Sequence, residues 1–171
     1  MTDAAAPLAT AAALDRLCAA HAAGDLDAAF AAIDAFAAVS LSHRLCTANR
    51  FDAQAMRVVR LYSSNPQAYP PGGSKDKAGT PWGQRVLLDH EVFVGAGVDA
   101  IRAFFDDHDA IARLGLRSVI NVPVVHAGQC LGTFNFLMPF EQPDASHVHA
   151  ARLAGALALP LFLLERQRAS A

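Results

Sequence analysis

The sequence contains little that would support a zinc site, a disulfide scaffold or a secreted protein. Three of the 171 residues are cysteines, Cys18, Cys46 and Cys130, and no two are spaced as in Cys-x-x-Cys. Scattered single cysteines are typical of proteins from a reducing compartment. Residues 1–10 also lack the basic and apolar stretches of a secretory signal. We therefore expect a cytoplasmic protein whose fold depends on its own apolar core.

Charge of one sign and long apolar runs are equally scarce. The chain has 14 lysine and arginine residues against 16 acidic ones, a net charge of -2, without a block of either sign. This balance lacks the basic patch through which proteins bind nucleic acids or anionic membranes. The most apolar run, Leu153–Leu164, is roughly half of the ~20 residues that a membrane-spanning helix needs. We therefore expect neither nucleic acid nor membrane as a partner.

The chain does have the length of one domain and helical patterns at both ends. We predict a flexible tail over 1–10 and a single domain over 11–168. Apolar residues at three- and four-residue steps predict a helix over 8–23 and a second helix that starts after an Asp25 cap. The last helix is predicted from Asp144 or Ser146 to Arg168, with a kink at Pro160.

Strand patterns fill the middle of the chain. Residues 44–48 and 56–62 predict one hairpin, and residues 117–125 and 130–138 predict a second one. The segment 63–79 is broken by prolines and glycines, which predicts a long loop without regular elements. Long loops inside domains are often functional, so this segment is the first place to look for a site.

Short elements are predicted between the long loop and the second hairpin. Thr80 and Pro81 are typical of a helix start, and this helix should run to about residue 90. A short strand at 92–94 and two brief helices over 99–105 and 107–114 should follow.

Two passages resemble the GAF domain family. The first is Arg60-Leu61-Tyr62-Ser63-Ser64-Asn65-Pro66 leading into Tyr69-Pro70, and the second runs from 117–125 into 128–136. The resemblance covers roughly residues 25–166. It implies an α/β (α+β) fold, similar to profilin and PAS domains, with an antiparallel sheet and the terminal helices on one face. It also implies a small-molecule pocket under loops and short helices on the other face, and often a homodimer through the terminal helices.

The strongest candidate site is the loop segment, because it combines aromatic rings with a cation and hydroxyl groups. Rings supply apolar area, while Lys75 or the amides of a helix start can hold a carboxylate or phosphate. The alternative is that Trp82 plugs the core and that Lys75 and Lys77 are solvated. The candidate residues in this segment are Tyr62, Ser64, Tyr69, Lys75, Thr80 and Trp82.

Three polar residues of the second hairpin are further candidates. Asn121 and Asn135 lie within apolar strands, where an unpaired amide is costly to bury. They either pair with each other or with backbone across the hairpin, or one of them lines the pocket and binds a ligand. Ser118 is a weaker candidate of the same kind.

The resemblance leaves the ligand and any cofactor unassigned. Known ligands of the family include cyclic nucleotides, bilins, haem and small metabolites. The cyclic-nucleotide branch has an Asn-Lys-Phe-Asp-Glu signature, whereas here Phe136 is followed by Leu137-Met138-Pro139-Phe140. The resemblance therefore does not imply cyclic nucleotide binding.

Three hypotheses on function follow. The first is a small-molecule-binding sensory or regulatory domain. The second is a cysteine-dependent redox enzyme of the free methionine sulfoxide reductase type, although Cys46 and Cys130 in strands are typical of small core residues. The third is a ligand-free dimerisation module. No catalytic residue or metal ligand is predicted, since Asp106–Asp109 reads as the acidic start of a helix rather than a metal site.

Overall fold

The computed structural model describes residues 5–169, in which helices and strands follow one another much as the patterns predict. In chain order the elements are α1 (Ala5–Ala23), α2 (Leu26–Leu41), β1 (Leu45–Asp52), β2 (Arg57–Ser63), β3 (Ser74–Asp76), a π-helix (Gly83–Leu88), β4 (Phe93–Ala96), α3 (Gly97–Phe104), α4 (His108–Arg113), β5 (Ser118–His126), β6 (Gln129–Met138) and α5 (Ala145–Ala169).

The strands form one antiparallel sheet in the order β3-β2-β1-β6-β5-β4. Both predicted hairpins are present, and they join along β1 and β6, where Leu45 lies opposite Leu137. The β5–β6 turn has positive φ at Ala127 (49°) and Gly128 (73°). Two such residues form the two-residue turn that matches the twist of paired strands. The predicted α/β fold with an antiparallel sheet is confirmed.

Helices α1, α2 and α5 cover one face of the sheet. Alternate strand residues pack against them in a continuous apolar core, and the largest members are Phe30, Ile33, Leu41, Ile120, Phe134, Phe136 and Phe162. By length and composition α5 could cross a membrane, and it continues through Pro160. Its inner residues, among them Ala154 and Gly155, are buried against the sheet, as in a core helix.

Loops, the π-helix, α3 and α4 cover the opposite face, which we call the loop-covered face. A second apolar cluster lies there, centred on Trp82, Val86, Phe93, Ile101, Ile111, Leu116 and Val119. The predicted start of the π-helical segment is confirmed, because the Gly83 amide donates to Thr80 Oγ1 over 3.0 Å. The predicted α-helix is instead wound as a π-helix, with the Asp89 amide donating to the Gln84 carbonyl.

Two segments differ from the sequence predictions. Within 63–79, predicted to lack regular elements, β3 adds to the edge of β2, because the polar Ser74–Asp76 stretch pairs with the backbone of Arg57–Val59. The predicted tail over 1–10 overlaps α1, which is helical from Ala5, while residues 1–4 lie outside the described part.

Candidate ligand-binding site

A cavity lies between the loop-covered face of the sheet and the segments above it. The cavity has a volume of about 70 Å³. This is several times the volume that one water molecule needs. Its floor consists of Leu45, Thr47, Asn49, Val58, Arg60, Val119, Asn121, Asn135 and Leu137. Its roof consists of Tyr69, Gly73, Lys75, Lys77, Trp82, Phe105, Asp107 and Ile111.

The alternation of β1 explains how a polar floor adjoins an apolar core. Successive side chains of a strand point to opposite faces. Cys46 and Ala48 therefore enter the core under the helices, whereas Leu45, Thr47 and Asn49 face the cavity. One strand thus serves both sides of the sheet.

Two asparagines and a tryptophan form a buried hydrogen-bonded chain across the floor. Trp82 Nε1 donates to Asn121 Oδ1 over 2.9 Å, and Asn121 Nδ2 donates to Asn135 Oδ1 over 2.8 Å. Asn135 Nδ2 reaches the carbonyl and Oγ1 of Thr47, each at 3.2 Å. The predicted pairing of the asparagines is therefore confirmed, and both also line the cavity. Each amide is satisfied, so the floor is rigidly ordered.

Cationic side chains surround one end of the cavity. Lys75 Nζ lies 2.6 Å from Asp107 Oδ1, and the Tyr69 hydroxyl donates to the other oxygen of Asp107 over 3.0 Å. Arg60 donates to the carbonyl of Pro70, and its guanidinium lies 5.1 Å from the centre of the Tyr69 ring. Strands β2 and β3 thus place two cationic side chains, Arg60 and Lys75, at the cavity, where one carboxylate, that of Asp107, also lies.

Lys77 is the most unusual of these cations. It is only 7% exposed, and its ammonium lies 4.8 Å from the centre of the Trp82 ring. Burial lowers the pKa of Lys77 and the nearby charge of Lys75 lowers it further, whereas the charges of Asp106 and Asp107 act in the opposite direction. Over residues 5–169 no salt bridge to this ammonium is found. The ammonium itself is not among the side-chain atoms that are buried without a partner, so this lysine is buried along its stem and keeps its charged end at an opening of the cavity.

The ionisation of Asp107 follows from its partners. Burial by itself raises the pKa of Asp107, but the ion pair with Lys75 and the hydroxyl of Tyr69 hold that pKa below its usual range. Burial and the Asp107 charge in turn raise the pKa of Tyr69. Asp107 is therefore ionised at neutral pH, and Tyr69 keeps its proton as the donor in this contact.

Five of the nine candidate residues from the sequence line the cavity. They are Tyr69, Lys75, Trp82, Asn121 and Asn135. The structure does not bring the other four to the cavity, for reasons that are local in each case.

Tyr62 and Ser64 lie on the other side of the sheet or at its end. The pairing of β1 with β2 shifts between Ala48 and Asn49, which leaves Leu61 as an extra residue on β2. Such a bulge reverses the side to which the following side chains point. Tyr62 therefore faces α2, where its hydroxyl donates to Asp34 over 2.8 Å. Ser64 Oγ accepts a hydrogen bond from the Cys46 amide.

Thr80 and Ser118 are engaged in hydrogen bonds to backbone. Thr80 Oγ1 donates to the Lys77 carbonyl over 2.9 Å and accepts from the Gly83 amide, so the hydroxyl is used to start the helix. Ser118 is fully buried, and its hydroxyl donates to the Phe140 carbonyl over 2.5 Å. Neither lines the cavity.

Sequence reasoning missed three charged residues of the site, Arg60, Lys77 and Asp107. The sequence predicts that Asp107 is an acid at a helix start, but it makes no capping hydrogen bond and pairs with Lys75 and Tyr69 instead. The closeness of Lys75 and Lys77 in the sequence held a usable signal, because Lys75 lies on β3 and Lys77 follows directly after it. That signal required β3 to be recognised inside the loop.

A second polar cluster lies on the helix-covered side, where Asp34, His43 and Cys46 have donor atoms within 4.8 Å of one another. His43 Nε2 contacts Asp34 Oδ1 directly at 2.5 Å. Two ligands of one zinc ion would lie more than about 3 Å apart, since each bond is about 2 Å long. Tyr62 also uses this carboxylate, so the cluster is a hydrogen-bonded group centred on Asp34.

Cys46 and Cys130 lack the features of a redox pair. Burial, followed by the charge of Asp34, raises the pKa of the Cys46 thiol, and burial raises that of Cys130 to about 11. Cys46 lies opposite Phe136, six residues along β6 from Cys130, which corresponds to about 20 Å. A thiol exchange cycle needs a thiolate and a second sulfur within bonding reach. This arrangement speaks against the redox alternative.

Comparisons with known proteins give a match at the level of the fold. No family model matches the chain, and no curated protein matches it. The GAF domain of a phosphoenolpyruvate-protein phosphotransferase from Coxiella burnetii is 15% identical, with a TM-score of 0.71 over 96% of this chain and 98% of that one. The GAF domain of the Acinetobacter phosphoenolpyruvate-protein phosphotransferase is 13% identical, with a TM-score of 0.62 over 84% and 83%.

A chromophore-binding domain is similar as well. The chromophore-binding domain of a bacteriophytochrome from R. palustris is 12% identical, with a TM-score of 0.65. The match covers 95% of this chain but only 61% of that one, so the chain spans about three fifths of the chromophore-binding domain. At these identities the likeness concerns the fold alone. The protein has the fold of a GAF domain.

Proposed function

We propose that the protein is a sensory or regulatory domain that binds a small molecule in the cavity of the loop-covered face. The observation that carries this proposal is where the buried polar groups lie. Most of the buried polar residues border this one cavity, namely Thr47, Lys77, Asn121 and Asn135. Ligand pockets typically combine apolar walls with a few such convergent polar groups. The solved structures with this fold also include sensory domains, such as that of a phytochrome.

The size of the cavity limits the ligand. A space of 70 Å³ corresponds to about five or six water molecules, and so to a ligand of about four to eight non-hydrogen atoms. Haem or a bilin is far larger than this. The cavity is partly open, so this volume describes the enclosed part of the ligand, and the proposal is a small metabolite whose polar group enters this space.

The contacts of the roof could transmit ligand binding to the surface of the protein. Asp107, at the start of α4, contacts Lys75 of β3 and Tyr69 of the loop, so a single carboxylate holds three segments together. A ligand that contacts Lys75 competes with Asp107 and alters the position of α4. The signal would then pass to whatever partner contacts that surface.

We further propose that the protein acts in the cytoplasm as a homodimer through the terminal helices. The support is a set of large apolar side chains exposed on those helices, namely Leu8, Leu14, Val39 and Leu153. Leu153 is 50% exposed. Light scattering after size exclusion should show a dimer for the natural chain and a monomer for Leu153→Glu. A dimer that binds no small molecule would favour the dimerisation module instead.

A cavity-filling substitution tests the proposed function. Val58 lines the cavity, and the neighbouring Val59 points to the opposite face of the strand. We expect compounds from a metabolite library to raise the melting temperature of the natural protein by about 5–10 °C at a hundredfold excess over Kd. Val58→Phe should abolish these shifts and Val59→Phe should preserve them. Hits that are equal in both variants, or no hits at all, would contradict the proposal.

A further inference from the structure

We propose that the ligand is a small anion, a carboxylate or a phosphate, bound between Lys77 and Arg60. This inference rests on the proposed function and specifies the ligand class. It starts from the charges that border the cavity. Arg60, Lys75 and Lys77 are cationic, and Asp107 is the only acidic residue among the lining residues.

Both oxygens of the Asp107 carboxylate already have partners within the protein. One oxygen of Asp107 pairs with Lys75, and the other accepts the hydrogen bond of the Tyr69 hydroxyl. Lys75 is thereby neutralised, while Lys77 and Arg60 keep their charges. The residues that line the cavity therefore carry more positive than negative charge next to apolar walls, which favours an anion over a cation.

Lys77 provides the stronger half of the site. Its side chain is buried, and its ammonium contacts the face of the Trp82 ring. Lys75 lies on β3 and Lys77 follows directly after that strand, and both line the cavity. An ammonium has three donors, and the Trp82 contact uses none of them as a hydrogen bond to oxygen. An anion within the cavity would satisfy these donors.

Arg60 provides the second half. Its Nη1 donates to the Pro70 carbonyl and its plane lies over Tyr69, so the guanidinium is held in place. Its Nε is buried without a hydrogen-bond partner. A fixed guanidinium edge with free donors matches the planar oxygens of a carboxylate or phosphate. Leu45, Val58 and Leu137 of the floor would contact the carbon atoms of an organic anion.

A matched pair of probes separates charge from shape. Malonate and malonamide have nearly the same size, and inorganic phosphate tests whether carbon is needed. Isothermal titration calorimetry of the natural protein should show binding of malonate or phosphate, with malonamide at least about tenfold weaker, as expected for charge-assisted hydrogen bonds.

Variants then assign the binding to these residues. Lys77→Met should weaken anion binding at least about tenfold, and Arg60→Gln serves if Lys77→Met fails to fold. Arg57→Met is the matched control, because Arg57 is an exposed cation of β2 that bonds Ser74 outside the cavity. The control should change the affinity less than about twofold.

Three results would overturn the inference: malonamide binding as tightly as malonate, equal affinities of Lys77→Met and Arg57→Met, or no binding of either anion. These results are separable from failure of the proposed function. Neutral compounds that stabilise the natural protein but not Val58→Phe would leave the cavity as a ligand site while excluding an anion. If no compound stabilises the natural protein more than Val58→Phe, both the proposed function and the anion proposal are wrong.

Discussion

The two faces of one sheet in this protein differ in what they bury. On the helix-covered face, Phe30, Phe134 and Phe162 pack ring against ring, with centroids about 6 Å apart. On the loop-covered face, the buried groups include Lys77 and the Asn121–Asn135 pair, and a cavity remains between them. The comparison teaches that strand alternation lets the same sequence segments form an apolar core on one side and line a polar cavity on the other.

Backbone geometry strengthens this contrast. A Cβ atom on Gly132 would lie 2.1 Å from the Asn49 carbonyl and 2.5 Å from the Phe162 ring, so β6 is in close contact with its surroundings there. Substitutions on the two faces should therefore separate stability from binding.

The largest effect should come from a cavity created in the helix-covered core. Phe134 is fully buried and contacts the rings of Phe30 and Phe136. Phe134→Ala should lower the free energy of unfolding by about 3–5 kcal/mol in urea titrations. Malonate affinity should remain unchanged while the variant is folded. A loss below about 1 kcal/mol would remove the distinction between the faces.

The next effect should come from the buried amide chain. Asn135→Leu leaves Asn121 Nδ2 without its acceptor, so the free energy of unfolding should fall by about 1–3 kcal/mol. Thr133→Val is the matched control on the same strand, because Thr133 Oγ1 is buried without a hydrogen-bond partner. That control should be neutral or slightly stabilising. Equal losses in both variants would show that the chain contributes nothing specific.

The third effect is a pH dependence of malonate affinity. The affinity should change little near neutral pH and should fall in the alkaline range. Anions bind the protonated form of Lys77, whose pKa lies below the ordinary 10.5. Malonate affinity should therefore fall as the pH rises through that pKa, by up to about tenfold per pH unit. In the free protein the sign is opposite, because a lowered lysine pKa makes the fold more stable as the pH rises.

Calorimetry over pH 6 to 10, in about one-unit steps, measures this dependence. Lys77→Met should remove the slope, whereas Arg57→Met should retain it. An affinity that does not change with pH in the natural protein would place the anion away from Lys77.

The smallest effect should come from the competing carboxylate of the roof. Asp107→Asn frees Lys75 to contact the ligand, so malonate should bind about two- to fivefold more tightly in the same titration. Asp109→Asn is the control, because Asp109 lies at the start of the same helix but outside the cavity. Weaker binding by Asp107→Asn would mean that the Asp107 contact orders the site instead of competing for it.

The fold followed from local patterns to a large extent. Runs rich in β-branched and aromatic residues located β5 and β6, and Thr80 with Pro81 located the start of the helix that contains Gly83. The buried asparagines were placed by the cost of an unpaired amide, which the Asn121–Asn135 bond avoids. These features depend on residues close in sequence or on simple hydrogen-bond accounting.

The charged part of the site was not predictable in the same way. Tyr62 was assigned to the pocket because the bulge that turns it toward α2 has no sequence signature on one strand alone. Lys77 reads as solvated, because its burial depends on the Trp82 ring and on the fold of the loop above it. The contact between Lys75 and Asp107 joins residues far apart in the chain.

Trp82 gives the most direct test of the central claim, because it is the only tryptophan of the chain and lines the cavity. Its emission is expected to change saturably as malonate or phosphate is added, and the change should disappear in Val58→Phe but persist in Val59→Phe. Emission that stays constant while either anion binds by calorimetry would show that the ligand lies elsewhere and would contradict the account.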